Sequence, residues 1–366
     1  MIRTSDLLVV GGGIAGVTVA IAAADHGLSV HLIDIAKPGA ASRASAGLLA
    51  PSLDGLPLAS RSAAIDAREA YPSFLSALHE RTGVDVALDR NGIIELANNR
   101  SEFELRAASA AKEVMLLDER ELASLEPALE GHAGAFFHPL DGFVDNVSLM
   151  LALDRAVDES PRIERHHDLV TAVWLRADGA SAVTAAGDRF ECGVLVLAAG
   201  AWANGILGLP RSLPIRPVRG QLLRLSQQPA SRVICCGGGY FVPRGGGLIV
   251  GATSEETGYL NQTTADGRSA LRAAAIRTFA ALSNAQVIDH WAGLRPVTPD
   301  GLPILGADPR HPSLAYACGL SRNGILFAPW AAGQLMDGIA GKPEPPSLSM
   351  FSVRRFAEIT NQSSTS

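Results

Sequence analysis

With 366 residues the chain is long for one hydrophobic core and suits two domains, and its 47% hydrophobic content is that of an ordinary globular protein. A net charge of -6 without any basic run gives no electrostatic case for nucleic acid. Cys192, Cys235, Cys236 and Cys318 lack CxxC spacing and metal-ligand company, so they read as reduced thiols of a cytoplasmic protein, with no metal site.

The chain opens with a short apolar strand at residues 7–10, the turn Gly11-Gly12-Gly13, and residues 14–26, whose apolar side chains recur at helical spacing. Residues 7–24 carry no charge, but three adjacent glycines and Asp6 at the entrance argue against a signal or membrane segment. No other stretch is long and apolar enough to span a bilayer. The spacing is that of a dinucleotide turn. Gly11 makes the bend, Gly13 admits a pyrophosphate to the backbone, and Gly16 lets the helix pack on the strand, with the helix N–H groups and positive dipole facing the phosphate. A second strand at 30–33 ends in Asp34, where the pattern places the acid that takes the ribose hydroxyls.

Residues 38–51 are mostly small and suit close approach to a ligand; as a bare pattern they read equally as a flexible loop. A helix is expected over 61–81, ended by Gly83, then strands at 84–88 and 93–97. Helices follow over 101–113, with Ser101 as cap and Glu104 completing a capping box, over 118–125, and over 146–160, capped by Asn146. Strands at 170–175, 182–185 and 194–197 lead into Ala198-Ala199-Gly200-Ala201-Trp202. Between 214 and 291 strands at 221–225, 239–242 and 248–251 with a helix over 266–282 indicate a separate α+β layer. The segment 314–318 precedes Gly319-Leu320-Ser321-Arg322-Asn323-Gly324, which opens an apolar helix over about 325–340. The tail from Pro343 is expected to fray after Phe356.

These segments, with Ala41-Ser42-Arg43-Ala44-Ser45-Ala46-Gly47, Tyr240-Phe241-Val242-Pro243-Arg244 and Gly293-Leu294-Arg295-Pro296, stand in an order that resembles the flavin-dependent D-amino acid oxidase superfamily. The similarity is greatest to the glycine oxidases of thiamine biosynthesis. The resemblance implies FAD in a doubly wound, Rossmann-like α/β domain made of residues 1–83, 142–215 and 295–366. An α+β substrate domain with a mixed sheet, made of 84–141 and 216–294, would cover the flavin ring.

By the same resemblance Gly11, Gly13, Gly16 and Asp34 hold the ADP half of FAD. Ser42, Arg43 and Ser45 follow the pyrophosphate and ribityl chain, and Val170 lies near the adenine. Gly200, Trp202, Gly324 and Ile325 fall near the flavin. Ile14, Ala15, Ala44, Gly47, Leu48, Ala199, Arg295 and Asn323 are further cofactor contacts. Arg295 is the expected carboxylate anchor, lined by Tyr240, Arg322, Leu48, Gly238 and Leu320; a guanidinium suits this role because it meets a carboxylate with two parallel donors. As a bare residue Arg295 would read as a surface arginine beside a proline turn.

The implied reaction is hydride transfer from the α-carbon of a small amine substrate to flavin N5. The imine formed hydrolyses to glyoxylate and ammonia or an amine, and molecular oxygen reoxidises the flavin to give hydrogen peroxide. The cofactor carries this chemistry, so no catalytic acid or base is assigned. The helix opening at Gly324 would aim its positive end at the flavin. His31, His166, His167 and His290 read as ordinary surface or core histidines. The resemblance is compatible with a homo-oligomer and calls for neither nucleic acid nor membrane.

The chain departs from the family pattern at Leu48, where Met is common, at Leu320, where His is common, and at Val297, where Gly is usual. Gly237-Gly238-Gly239 stands where a bulky polar residue often precedes the tyrosine. Each change makes the pocket roomier or less polar, which points toward an N-substituted glycine beside free glycine. The alternatives are a D-amino acid oxidase or dehydrogenase and a non-catalytic FAD-binding module.

Overall fold

The computed structural model describes residues 2–53, 56–108, 111, 113–343 and 345–356. Among these, two eight-stranded sheets and a three-stranded one form the frame. At the centre of the first sheet, Ile2–Val10 runs parallel to Val30–Ile33 on one side and to Arg189–Leu197 on the other. Its last four residues, Leu7, Leu8, Val9 and Val10, are all buried, because both faces of the sheet are covered. Ile163–His166 extends the sheet past Val30–Ile33, again in parallel.

On the other side Arg189–Leu197 forks. Residues 189–192 pair antiparallel with Gly179–Thr184, which continues to Val170–Arg176, while residues 195–197 pair in parallel with Leu314–Cys318. Helices Ile14–Asp25, Asn146–Asp158 and Gly324–Ile339 pack on one face of this sheet around Val17, Leu153 and Phe327. Among the described residues no helix is long and apolar enough to cross a membrane.

The second sheet runs in the order Val287–Val297, Arg216–Leu225, Gly247–Gly251, Gly239–Arg244, Val233–Cys236, Ile93–Leu96, Ala135–His138, Met115–Leu117. All its neighbours are antiparallel except Val233–Cys236 with Ile93–Leu96, so the sheet is mixed, as the family resemblance implies. Helix Ala265–Thr278 covers it through Leu271 and Ala275. The small third sheet joins Leu48–Leu49 and Leu88–Asp89 through Gly142–Val144.

Several local expectations change. The single helix over 61–81 is two, Arg61–Glu69 and Tyr71–Thr82, because Pro72 has no N–H to donate to the preceding turn. Gly83 does end the second helix, with φ 65°. Ser101 is not a cap. Asn99, extended in backbone, accepts from the Glu102 N–H at 2.9 Å, and the helix is Arg100–Ala107; residues 109, 110 and 112 of the expected span lie outside those described. The reciprocal capping box sits instead at Asp118 and Glu121.

Asp145, not Asn146, caps Asn146–Asp158. The helix expected over 266–282 stops at Thr278, where Phe279 turns extended to bury its ring, and a 3-10 turn Ala280–Asn284 follows. Of the strand expected over 84–88 only Leu88 pairs, in the two-residue strand Leu88–Asp89. The short strands Met115–Leu117, Ala135–His138, Ile163–His166 and Val233–Cys236 add to those expected. Residues 357–366 lie outside those described. The expected domain boundary at 294/295 falls inside Val287–Val297, so the second sheet itself carries Arg295.

Candidate active site

A cavity of about 1230 Å³ is lined from both large sheets. It begins where strand Ile2–Val10 ends. Gly11 has φ 112°, and a Cβ there would run into the Ala198 carbonyl, so the bend admits only glycine. A Cβ on Gly16 would overlap the Gly11 carbonyl oxygen; Gly16 does not line the cavity, and its place is the close contact of helix with strand. Gly12, to which the dinucleotide pattern assigns no role, faces Asp34, whose carboxylate would lie within 3.0 Å of an added Cβ. Gly13 caps helix Ile14–Asp25 without a side-chain partner, and Ser42 Oγ accepts from the Ile14 N–H at 2.9 Å.

The small-residue stretch is held by a polar scaffold that binds its carbonyls one after another. Asn146, fully buried, donates Nδ2 to the Ser42 and Arg43 oxygens at 3.1 and 3.2 Å. Trp291 Nε1 donates to the Ala44 oxygen at 2.9 Å, and Arg244 Nη2 to the Ala46 oxygen at 2.6 Å. Arg244 also donates Nη1 to Asn146 Oδ1 at 2.8 Å and faces Asp145 at 3.3 Å. Burial lowers the Arg244 pKa from its ordinary value, against the pull of Asp145. Asn146 therefore serves as a brace for the loop, and Arg244, present in the quoted motif, had no sequence signal for this task.

A second helix start faces the same cavity. Asn323 and Gly324 open Gly324–Ile339 with no side-chain cap bond, and both line the cavity with Ile325. Pro329 inside this helix cannot donate to the Ile325 carbonyl four residues back, and the Tyr71 hydroxyl donates to it instead.

Arg295 lies on a strand opposite Val218 rather than in a surface proline turn. Its guanidinium occupies space left by Gly220, where a Cβ would come within 3.0 Å of three guanidinium atoms. Nη1 donates to the Thr253 carbonyl at 3.1 Å, and Tyr240 is a further hydrogen-bond partner. The Tyr240 ring in turn fills the space left by Gly251. Burial pulls Arg295 below the usual guanidinium pKa, with Arg322 adding to the effect, and pushes the Tyr240 phenol up. Among the described residues no carboxylate lies within ion-pair distance of Arg295.

Exposed Arg322, buried Leu320 and half-buried Leu48 line the same space. Gly237 and Gly238, with φ 53° and 77°, are the two turn residues of a hairpin closed by the pair Cys236 and Gly239. Their glycines thus answer a backbone need as well as leaving room. The other expected contacts Ala15, Arg43, Ala44, Ser45, Gly47, Val170, Ala199, Gly200 and Trp202 also line the cavity. Arg43 and Arg165 share Asp154, and Trp202 stacks on Tyr259 at 6.1 Å with Lys37 5.5 Å above its ring. Of the histidines, His290 bonds Gln221 at 3.0 Å, His167 lines the cavity, and His31 and His166 meet each other.

A helix start facing the cavity, a carboxylate at the end of the next strand and a cradle that Cβ atoms would fill make a site suited to a dinucleotide. The family described as FAD dependent oxidoreductase matches residues 6–337. The chain belongs to this family. It is 34% identical over 99% of its length to the bifunctional protein ThiO/ThiG of Synechocystis, of which it spans 55%. The glycine oxidase structure from Geobacillus kaustophilus superposes with a TM-score of 0.90 at 30% identity, covering 96% of this chain and 98% of that one. An iminodiacetate oxidase from Chelativorans gives a TM-score of 0.86 at 25% identity, covering 94% and 98%. As a member of this family the protein is an FAD-dependent oxidoreductase, and the residues around the glycine turn fit that cofactor.

Proposed function

We propose that this oxidoreductase oxidises the carbon–nitrogen bond of a glycine unit, either glycine or an N-substituted glycine. The imine product hydrolyses to glyoxylate plus ammonia or an amine. The observation that carries this reading is Arg295, a cation withdrawn from water in the cavity with a carbonyl and a phenol as partners and no described carboxylate beside it. A desolvated charge is costly until an anion meets it, and a substrate carboxylate does so with two charge-assisted hydrogen bonds.

Bound FAD supplies a two-electron acceptor for the hydride of the substrate α-carbon. Gly11, Gly13, Ile14, Ala15 and Asp34 would hold its ADP half, residues 42–48 its central chain, and Gly200, Trp202 and residues 323–325 its ring. The rest is positioning. Arg295 and Tyr240 fix the carboxylate, Arg322 adds positive charge, and the start of Gly324–Ile339 favours negative charge at the ring. Leu48 and Leu320 give the substrate side an apolar wall that excludes water. No side chain is needed as a base in this reading. The first sheet with its helices would form the cofactor lobe and the second sheet the substrate lobe.

The substituent on nitrogen would extend toward the Gly237-Gly238 turn. The name of the iminodiacetate oxidase supports this extension, since iminodiacetate is itself an N-substituted glycine. That Arg295 has no internal ion pair among the described residues speaks against a non-catalytic FAD-binding module.

The test is anaerobic reduction of the bound flavin by glycine, sarcosine, longer N-alkyl glycines and D-amino acids. Glycine and its N-alkyl forms should reduce it fastest, and peroxide release in air should accompany turnover. Faster reduction by D-alanine or larger D-amino acids would place the free room on the α-carbon side and overturn the proposal.

A further inference from the structure

Strands Val30–Ile33 and Ile163–His166 pair with His31 opposite Glu164 and Ile33 opposite His166. Alternation along each strand puts His31, Glu164 and His166 on one face of the sheet. His31 Nδ1 and His166 Nε2 are 3.0 Å apart, and the Glu164 carboxylate lies 3.6 Å from each ring through one oxygen apiece. With one donor atom taken from each side chain, the three lie within 4.8 Å of one another; a tetrahedron with bonds of ~2.0 Å has an edge of about 3.3 Å, so a turn of the exposed Glu164 side chain closes the set around a small ion. Phe190 closes one side against both imidazoles, with ring centroids 5.2 and 4.8 Å away.

We propose that His31 Nδ1, His166 Nε2 and a Glu164 carboxylate oxygen form a binding site for a divalent transition ion of the zinc class, with water completing the coordination. Two imidazoles and one carboxylate suit such an ion better than magnesium or calcium, which prefer all-oxygen shells. Burial disfavours the charged form of both rings. The His31 ring also hydrogen-bonds the Thr4 backbone, the kind of outer contact that orients a metal-bound histidine.

The surrounding charges are mixed. Arg3, from the neighbouring strand, ion-pairs with Glu164 at 2.6 Å and opposes a cation, whereas Asp188 acts on His166 with favourable sign. The site lies outside the cavity but is coupled to it through the backbone. The Asp34 N–H donates to the His166 carbonyl at 3.0 Å, and His167 and Asp168, which follow, line the cavity. An ion here would clamp the strand that ends in Asp34 to the strand that leads to Val170, and so slow release of FAD.

The experiment uses the FAD-loaded protein, stripped with a chelator and dialysed against zinc chloride, with bound metal measured by mass spectrometry. About one zinc per chain should be retained. Affinity should fall by at least the roughly tenfold that losing even an outer-shell partner costs in both His166→Gln and Glu164→Gln. Arg3→Gln, which removes the opposing charge, should bind two- to fivefold more tightly, the scale of a partly exposed and screened pair. Zinc should also slow FAD release in the unmodified protein and not in Glu164→Gln. If His166→Gln fails to fold, Glu164→Gln decides the matter, because that side chain is 55% exposed and its loss leaves the core untouched. No retained zinc, or the same retention in both ligand variants, overturns the proposal.

Discussion

Gly220→Ala tests the substrate reading without altering any group assigned to touch substrate. Gly220 sits in strand Arg216–Leu225, and the methyl group of alanine would fall within 3.0 Å of three atoms of the Arg295 guanidinium. Ordinary contact starts near 3.4 Å, so the guanidinium has to move by roughly an ångström. The displaced group is the far end of a flexible side chain, so the fold should absorb the change and Tm should hardly shift. The carboxylate contact should not survive it. A displacement of about 1 Å can cost ~100-fold, and a hydrogen bond to a charged group is worth about 1.5–3 kcal/mol, or roughly ten- to 150-fold.

The assay is glycine-dependent flavin reduction, with the limiting rate and the half-saturating concentration measured separately, beside the visible spectrum and a thermal melt. The half-saturating concentration should rise by one to two orders of magnitude with spectrum and Tm unchanged. An unaltered half-saturating concentration in the folded variant would remove Arg295 from the substrate site.

Tyr71→Phe removes the hydroxyl that donates to the Ile325 carbonyl left open by Pro329, a buried acceptor, and should cost about 1–3 kcal/mol in urea unfolding; a change under about 0.5 kcal/mol would contradict this account. Arg244→Gln breaks the brace on the Ala46 oxygen, Asn146 and Asp145 together and should cost about 3 kcal/mol or more, with FAD lost on gel filtration; full retention of FAD would show that residues 42–47 keep their shape without it. Burial would raise the pKa of Glu95, but hydrogen bonds from His138 and Arg106 outweigh it and hold it below the ordinary 4.5. Its contribution to stability is therefore complete above about pH 4.5 and lost as the pH falls through the lower folded value. Glu95→Gln should flatten the acid limb of the stability curve, and an unchanged limb would refute the assignment.

How much could be read without coordinates follows from the range of the forces involved. The bend at Gly11, the contact at Gly16, the acid at Asp34 and the helix openings at Gly13 and Gly324 are local events. Steric limits on φ and the spacing of apolar residues act over a few positions, so the sequence carries them directly. The contrast between the parallel centre of the first sheet and the largely antiparallel second sheet was legible for the same reason, since strands alternating with helices and strands in quick succession are different patterns.

Short strands such as Val233–Cys236 and Ile163–His166 were not legible, because four residues show no decisive period and pairing with a distant neighbour defines them. The same holds for the caps at Asn99 and Asp145, where several polar residues in a row compete for one position. Tertiary structure alone decided the remaining roles, through contacts between residues far apart in the chain. Arg244 reaches Ala46 across 198 positions, Trp291 reaches Ala44 across 247 and Tyr71 reaches Ile325 across 254. Whether Arg295 is an anchor or a surface charge turns on what surrounds it after folding: the hollow left by Gly220, the Thr253 carbonyl, and the lack of a described carboxylate. The meeting of His31 with His166 is of the same kind, since strand register sets it and no spacing within the sequence encodes that register.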